Sequence, residues 1–329
     1  QETFAQGLAF NTDGTKMFVV GYAGSDVNEY TLSTGFNVST ATFVDSFSVT
    51  AQETVPTDVA FNTDGTKMFV LGLVNDNINE YTLSTGFDVS TATFVDAFSV
   101  AAQETEPRGV AFNTDGTKMF IVGSIGDDVN EYALTTGFDV STASFTDSFS
   151  VAAQETNPTA VEFNTDGTKM FVVGFTGDKV YEYTLSTGFD VSTATFVDSF
   201  SVASQDTVPN GLAFNTDGTK MFVVGESNDG VYEYTISGIS YTNLMDKTQL
   251  DAVTDANQVT LGNDLDLAII LNLTSGTTVP SSNGVAINYD ANVLNEGAIL
   301  GTDYDFDAPA TDKVRITALA ANNLKVRVL

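Results

Sequence analysis

Cysteine, histidine and tryptophan are all absent from this 329-residue sequence, and 12 basic residues stand against 43 acidic ones. Without cysteine there is neither a disulfide framework nor thiolate chemistry, so stability has to come from packing. Without histidine the Ser-His-Asp and Cys-His nucleophile systems and the common zinc sites are excluded. A formal charge of -31 repels nucleic-acid backbones and anionic membrane surfaces at long range, so neither is an expected partner. No apolar run reaches the length of a membrane span: the longest, Leu265 to Leu273, contains Asp266 and Asn272 and reads as a strand. Membrane insertion is not expected, and the acidity suits a saline exterior. The sequence starts at Gln1 without an initiator Met, which suggests processing or a missing upstream segment, and shows no signal peptide.

What is present is repetition. The nonapeptide Phe10-Asn11-Thr12-Asp13-Gly14-Thr15-Lys16-Met17-Phe18 returns at Phe61, Phe112, Phe163 and Phe214, 51 residues apart each time. One supersecondary unit has therefore been copied. Four complete units begin at Gln1, Gln52, Gln103 and Gln154, and a fifth begins at Gln205 and departs from the pattern after Ser237. In the second unit Asp58 to Phe61 reads as a strand, and the Asp64-Gly65 pair supplies the positive φ of a tight turn. Lys67 to Gly72, almost wholly apolar, reads as a covered strand, and Ile78 to Leu83 as a third. After the longer connection Ser84 to Ser90, Thr93 to Val100 alternates, with Phe94, Asp96, Phe98 and Val100 on one expected face. Four short antiparallel strands per unit predict a five-bladed β-propeller; a stacked β-solenoid is the alternative, disfavoured by the internal hairpin turns. Only four outer strands are spelled out. The fifth blade is expected to be three-stranded, or to use Ile239 to Leu244 as its edge, or to draw on upstream repeats.

The run Pro56-x-x-Val59-Ala60-Phe61-Asn62-x-Asp64-Gly65-x-Lys67-Met68-Phe69-Val70 resembles the blade signature of YVTN and NHL-type β-propellers. The phrase Glu80-Tyr81-Thr82-Leu83-Ser84-Thr85-Gly86-Phe87-Asp88-Val89-Ser90 resembles propeller repeats of marine phage structural proteins. The resemblance covers about residues 1 to 237 and implies the propeller fold; it is weak for function, because this fold hosts enzymes, lectins and scaffolds alike.

Comparing the repeats with one another separates two kinds of loop. The turn after the first strand is identical in all five, and the connection before the fourth strand is nearly so. Differences gather at Phe4, Val55, Glu106, Asn157 and Val208; at Gln6, Thr57, Arg108, Thr159 and Asn210; and from Tyr22, Leu73, Ser124, Phe175 and Glu226 to Asn28, Asn79, Asn130, Tyr181 and Tyr232. In an up-and-down blade these belong to one rim, so Gln6, Tyr22, Asp58, Leu73, Glu106, Arg108, Glu162, Phe175, Asn210 and Glu226 make a candidate binding face, with tolerated loop drift as the alternative. Three acids, Asp58, Glu106 and Glu162, are placed for a two-carboxylate hydrolase. Calcium-type oxygens occur in turns, notably Asp127 and Asp128, though Asn, Asp and Gly are also ordinary turn residues. The repeated Lys16-type residues read as solvated partners of nearby Asp, and the repeated Phe and Tyr as core.

Beyond the repeats, residues 238–257 read as a linker with helical spacing over Asn243 to Asn257. Residues 258–329 read as a small β-sandwich with strands at Gln258 to Leu261, Leu265 to Leu273, Gly284 to Tyr289, Lys313 to Leu319 and Leu324 to Leu329. Asp303, Asp305 and Asp307 lie on one side of an extended segment, a second candidate calcium site, and Gly301-Thr302-Asp303-Tyr304 loosely resembles calcium-binding Calx-β domains. The expected whole is a non-enzymatic extracellular or virion-surface protein. Its propeller face recognises a protein or glycan, and its C-terminal domain docks to another protein or self-associates. A carbohydrate-active hydrolase and a multivalent lectin are the alternatives, and no cofactor beyond calcium is implied.

Overall fold

In the computed structural model the described residues are 2–236 together with eight later strands. The chain divides into two compact units, Gln1–Ile236 and Ser237–Leu329. In the first, β1 (Ala5–Phe10), β2 (Lys16–Gly21), β3 (Asp26–Leu32) and β4 (Ala41–Ser48) form one antiparallel sheet in that order. The pattern recurs as β5 (Pro56–Phe61), β6 (Lys67–Gly72), β7 (Asn77–Leu83) and β8 (Ala92–Ser99), then as β9 (Pro107–Phe112), β10 (Lys118–Gly123), β11 (Asp128–Leu134) and β12 (Ala143–Ser150). It recurs again as β13 (Pro158–Phe163), β14 (Lys169–Gly174), β15 (Lys179–Leu185) and β16 (Ala194–Ser201). The fifth sheet has three strands among the described residues, β17 (Pro209–Phe214), β18 (Lys220–Gly225) and β19 (Gly230–Thr235).

The first strands of the five sheets touch in cyclic order, β1 beside β5, β5 beside β9, β9 beside β13, β13 beside β17, and β17 beside β1. The result is a closed five-bladed propeller. Its core lies between blades: Phe18, Val20 and Val27 of the first pack with Val59, Met68, Val70 and Tyr81 of the second, and Phe222 and Val224 of the fifth pack with Leu8, Met17 and Val19 of the first. Burying a Phe or Val in this way stabilises by about 1.5–3 kcal/mol, so the repeated apolar second strands carry most of the ring's cohesion. Each turn glycine of the Asp-Gly pairs has φ near +70°, and in four blades a Phe of the same repeat, Phe36, Phe87, Phe138 or Phe189, lies over it.

Two expectations within the blade are corrected. The outer strand does not keep one alternation, because Glu80 pairs with Asp96 but Tyr81 pairs with Phe94. This bulge inserts Val95 and turns Phe94 and Asp96 to opposite faces, a device that also twists an exposed edge away from further pairing. The Lys16-type residues do not pair with a nearby Asp. Lys67 Nζ lies 2.7 Å from Glu80 Oε1 and donates to the carbonyl of Phe138 in the next blade, while Glu80 Oε2 accepts from the Val140 N–H at 3.1 Å. Glu80 is buried on β7 and Lys67 only partly exposed, so the pair is a rivet between blades.

Among the described residues the second unit contains two antiparallel sheets. One has the order β20 (Ala268–Asn272), β27 (Asn323–Val328), β26 (Lys313–Ala320), β25 (Asp303–Asp307), and the other runs β21 (Thr277–Pro280), β22 (Ala286–Asp290), β23 (Val293–Leu294), β24 (Ala298–Ile299). Four of the expected strands are present with ends shifted by no more than three residues; β21, β23 and β24 escaped the sequence reading because they are short and lie in polar surroundings. The expected strand at 258–261 and the helical reading of 243–257 fall outside the described residues.

Candidate functional site

The variable rim is built on an invariant clamp. Each repeat opens with Gln-Glu-Thr or Gln-Asp-Thr, and the acid of this phrase turns inward: Glu53, Glu104, Glu155 and Asp206 are each 1 % exposed. Glu53 Oε1 accepts the N–H groups of Val55 at 2.8 Å and Val74 at 3.3 Å, tying the entry to the first strand to the turn after the second. Glu155 does the same with Asn157 and Thr176, and Asp206 with Val208 and Ser227. Two loops of unlike sequence are thus held in one place by one buried carboxylate. These acids were not among the residues singled out from the sequence. The available signal was an acid that stays fixed inside the loop where everything else changes.

On this base, residues of non-adjacent blades meet. Arg108 of the third blade donates from Nη1 to the Tyr22 hydroxyl of the first at 2.5 Å. The guanidinium also lies 3.9 Å from Glu106, whose other partner is the Ser124 hydroxyl at 2.7 Å. Gln6 Nε2 donates to Glu226 of the fifth blade at 3.3 Å. Burial raises the Tyr22 phenol pKa, with Arg108 opposing the shift and Glu226 and Glu106 adding to it, so all of these groups share one electrostatic neighbourhood. Arg108 Nε is buried without a hydrogen-bond partner among the described residues. Around this polar centre, the turns after the second strands expose apolar side chains: Val74 is 55 % exposed, Ile125 56 % and Phe175 36 %, with Phe4 at 49 % on the neighbouring entry loop.

The other candidates divide by depth. Leu73 is half-buried at the start of its turn. Gln6 and Asn210 are buried, as are Thr57 and Thr159, and three of these four close the spaces between inner strands: Asn210 donates to the Ala5 carbonyl, Thr57 to that of Pro107 and Thr159 to that of Pro209. Asn28, Asn79 and Asn130, taken from the sequence as rim variation, are buried on the third strands, with Asn79 Nδ2 donating to the Val70 carbonyl. Tyr181 is buried at the equivalent place. Part of the variation therefore belongs to packing.

Asp58 and Glu162 sit on inner strands, where backbones crowd. A Cβ on Gly7 would stand 2.5 Å from the Asp58 Cα, so the matching positions are Gly7, Gly109, Ala160 and Gly211, with Asp58 the single larger side chain. Its carboxylate accepts the N–H groups of Val59 and of Val110 in the next blade, each at 2.9 Å. Burial pushes the Asp58 carboxyl up to about 7 against these two bonds. Burial, and secondarily the charge of Asp58, pushes Glu162 up to about 8. Glu106 is engaged at the rim with Ser124 and Arg108, so only Asp58 and Glu162 form a pair.

Among the described residues no group of three or more acidic side chains is arranged to hold a metal. Asp127 has φ 54°, the left-handed turn conformation also adopted by Asp76, Asp178 and Asp229, and its carbonyl accepts the Val151 N–H. Asp128 opens β11. In the second unit the register sets Asp305 opposite Arg315 and Asp307 opposite Lys313, and Asp303 opposite Thr317.

No protein-family model matches the chain, and no curated protein matches it. Solved structures similar to it include a functionally unknown protein from Desulfotomaculum acetoxidans, at 16% identity and TM-score 0.45, covering 72% of this chain and 70% of that one. A luciferin-regenerating enzyme is similar at 13% identity and TM-score 0.47, over 72% of this chain and 93% of that chain. A chain of a nidogen/laminin complex is similar at 11% identity and TM-score 0.46, over 70% and 75% respectively.

Proposed function

We propose that the chain is a non-enzymatic recognition protein of an extracellular or virion surface, which binds a protein partner through the variable rim. The observation that carries this reading is the meeting of Tyr22, Glu106, Arg108 and Glu226 from three different blades inside a ring of exposed Val74, Ile125, Phe175 and Phe4. An arginine and a tyrosine at the centre of a partly desolvated patch with apolar neighbours is the composition of a binding hot spot. The exposed aliphatic residues favour protein over glycan. The C-terminal unit, its two sheets packed as a sandwich, serves as the attachment module.

The test is a selection of a random peptide-display library and a glycan array against the full chain. Expected are peptides whose binding falls at least about tenfold with Arg108→Ala and with Phe175→Ser, and is unchanged by Thr114→Ala on the opposite rim. Ligands indifferent to both rim replacements overturn the reading. The hydrolase alternative has one observation in its favour, the raised carboxyls of Asp58 and Glu162. Against it stands the engagement of Asp58 by two main-chain N–H groups. Turnover of a chromogenic glycoside panel that disappears in Glu162→Gln decides for the enzyme.

A further inference from the structure

Buried carboxylate oxygens without a hydrogen-bond partner gather at two positions of the repeat. Among the described residues, the clamp acids contribute Glu2 Oε2, Glu53 Oε2, Glu104 Oε2 and Asp206 Oδ2, and the turn after the second strand contributes Asp76 Oδ1 and Asp178 Oδ1. Glu104 and Asp206 are each 1 % exposed. Each spends only one oxygen on its clamp: Glu104 Oε1 takes the Glu106 N–H at 2.7 Å, and Asp206 Oδ1 takes those of Val208 at 2.8 Å and Ser227 at 3.3 Å. A buried carboxylate oxygen with no donor is costly, so the same lack at the same place in successive repeats points to a positive ligand.

The two positions meet across a junction between blades. Ser25, Asp76, Asp178 and Asp229 are the same residue of their turns, with φ between 49° and 50° in each. The carbonyls of Ser25, Asp76 and Asp178 accept the N–H groups of Val49, Val100 and Val202, so the three backbones superpose and the side chains leave in one direction. That direction is fixed by two contacts. The Ser25 hydroxyl donates to the Thr54 carbonyl of the next blade at 2.8 Å, and Asp229 Oδ1 accepts the N–H of Phe4, the counterpart of Val55, at 2.7 Å. The turn residue of one blade therefore reaches the entry loop of the next, beside its clamp acid. By the repeat, Asp76 faces the loop of Glu104 and Thr105, and Asp178 that of Asp206 and Thr207. Burial raises both turn carboxyls, with the charge of Glu106 adding to the shift of Asp76, and those of Glu155 and Asp206 to the shift of Asp178. Where serine gives the Thr54 carbonyl a proton, an ionised aspartate sets acceptor against acceptor.

We infer that the second and fourth junctions each bind a calcium ion, held by the free oxygens of Asp76 and Glu104 at one and of Asp178 and Asp206 at the other, with the Thr105 and Thr207 carbonyls as further ligands. Hard oxygen donors from carboxylate and main chain, in an irregular arrangement completed by water, suit calcium; magnesium demands a near-ideal octahedron and gives up its water reluctantly. Two carboxylates balance the charge of a divalent ion, so no third acid is needed. The remaining junctions lack the arrangement for stated reasons. At the first, Ser25 brings a proton in place of a charge. At the third, beside Asp127, Glu155 Oε2 is already partnered by the Gly177 N–H at 3.0 Å. At the fifth, Asp229 spends an oxygen on Phe4.

The experiment titrates calcium chloride calorimetrically into the full chain after chelation. Sodium chloride at about 0.15 M screens the general attraction of cations to a chain of formal charge -31. Asp76→Ser, Asp178→Ser and the double variant carry the residue that the first turn already holds at this place, so folding is retained, which thermal unfolding without calcium checks. Expected is binding with Kd of about 10⁻⁴–10⁻³ M, the stoichiometry lower by one in each single variant and by two in the double, whatever the second unit contributes. Calcium is also expected to raise the melting temperature of the unaltered chain and not that of the double variant. Superimposable titrations of the unaltered chain and the double variant overturn the inference, as does a chain that takes up no calcium, since protons or water then satisfy the carboxylates.

Discussion

At the scale of the residue, the inner-strand acids show how one substitution in a repeat changes the chemistry of its surroundings. Four repeats carry Ala where the fourth carries Glu162. Burial raises its folded-state pKa from 4.5 to about 8, so the folded state holds a proton that the unfolded state has already released. Below about pH 4.5 both states are protonated and there is no penalty. Between there and about 8 stability falls as pH rises, and above 8 the penalty is complete. Glu162→Ala is therefore expected to stabilise the protein at pH 8 by on the order of 4 kcal/mol and to leave stability at pH 4 nearly unchanged, as measured by denaturant unfolding at the two pH values. The slope that remains belongs to the other shifted carboxyls, among them Asp58 and Glu104, both raised by burial. The sequence announced both acids as departures from the repeat, but not that Asp58 is tied to two main-chain N–H groups. Likewise Gln6 and Asn210 were legible as variable and not as buried, because variation between copies looks the same at a recognition surface and at a joint that must absorb the unequal sizes of its neighbours.

Elements join one another through the Lys-Glu rivets. Glu80 on β7 binds Lys67 within its own blade and takes the Val140 N–H of the next, while Glu182 on β15 has only Lys169 among the described residues and is 28 % exposed. Replacing Glu80 by Ala leaves a buried N–H and a half-buried ammonium without their acceptor, at a cost of ~2 kcal/mol. Glu182→Ala removes a surface-like pair at ~0.5 kcal/mol or less. Thermal unfolding of the two variants side by side checks the difference. A near-equal loss contradicts the rivet. Strand positions in the propeller were legible to within a residue or two, because Asp-Gly turns and apolar second strands are strong local signals. The outer-strand bulge was not, since a single extra residue leaves the alternation of Phe94, Asp96 and Phe98 looking intact in the sequence.

For the whole molecule, charge and closure act against each other. A formal charge of -31 makes the folded chain repel itself, and added salt screens that repulsion within about 8–10 Å at 0.1–0.15 M. The melting temperature is expected to rise from 0.02 to 0.5 M sodium chloride, despite some weakening of the exposed ion pairs; a fall instead shows that the rivets outweigh the repulsion. Closure was the point the sequence left open. It is made by shape, with Phe222 packing on Phe10 and Phe36, and by Lys220 reaching the Phe36 carbonyl. On the invariant rim Thr12 donates to the Thr63 carbonyl, Thr63 to Thr114, Thr114 to Thr165, and Thr216 to Thr12. Four of the five joints on this rim are the same joint, and none of them counts. A duplicated or lost copy would meet its neighbours through identical couplings, so unequal recombination between these near-identical units can resize the wheel without inventing a single new coupling, and the number of sectors is left to the crowding at the hub.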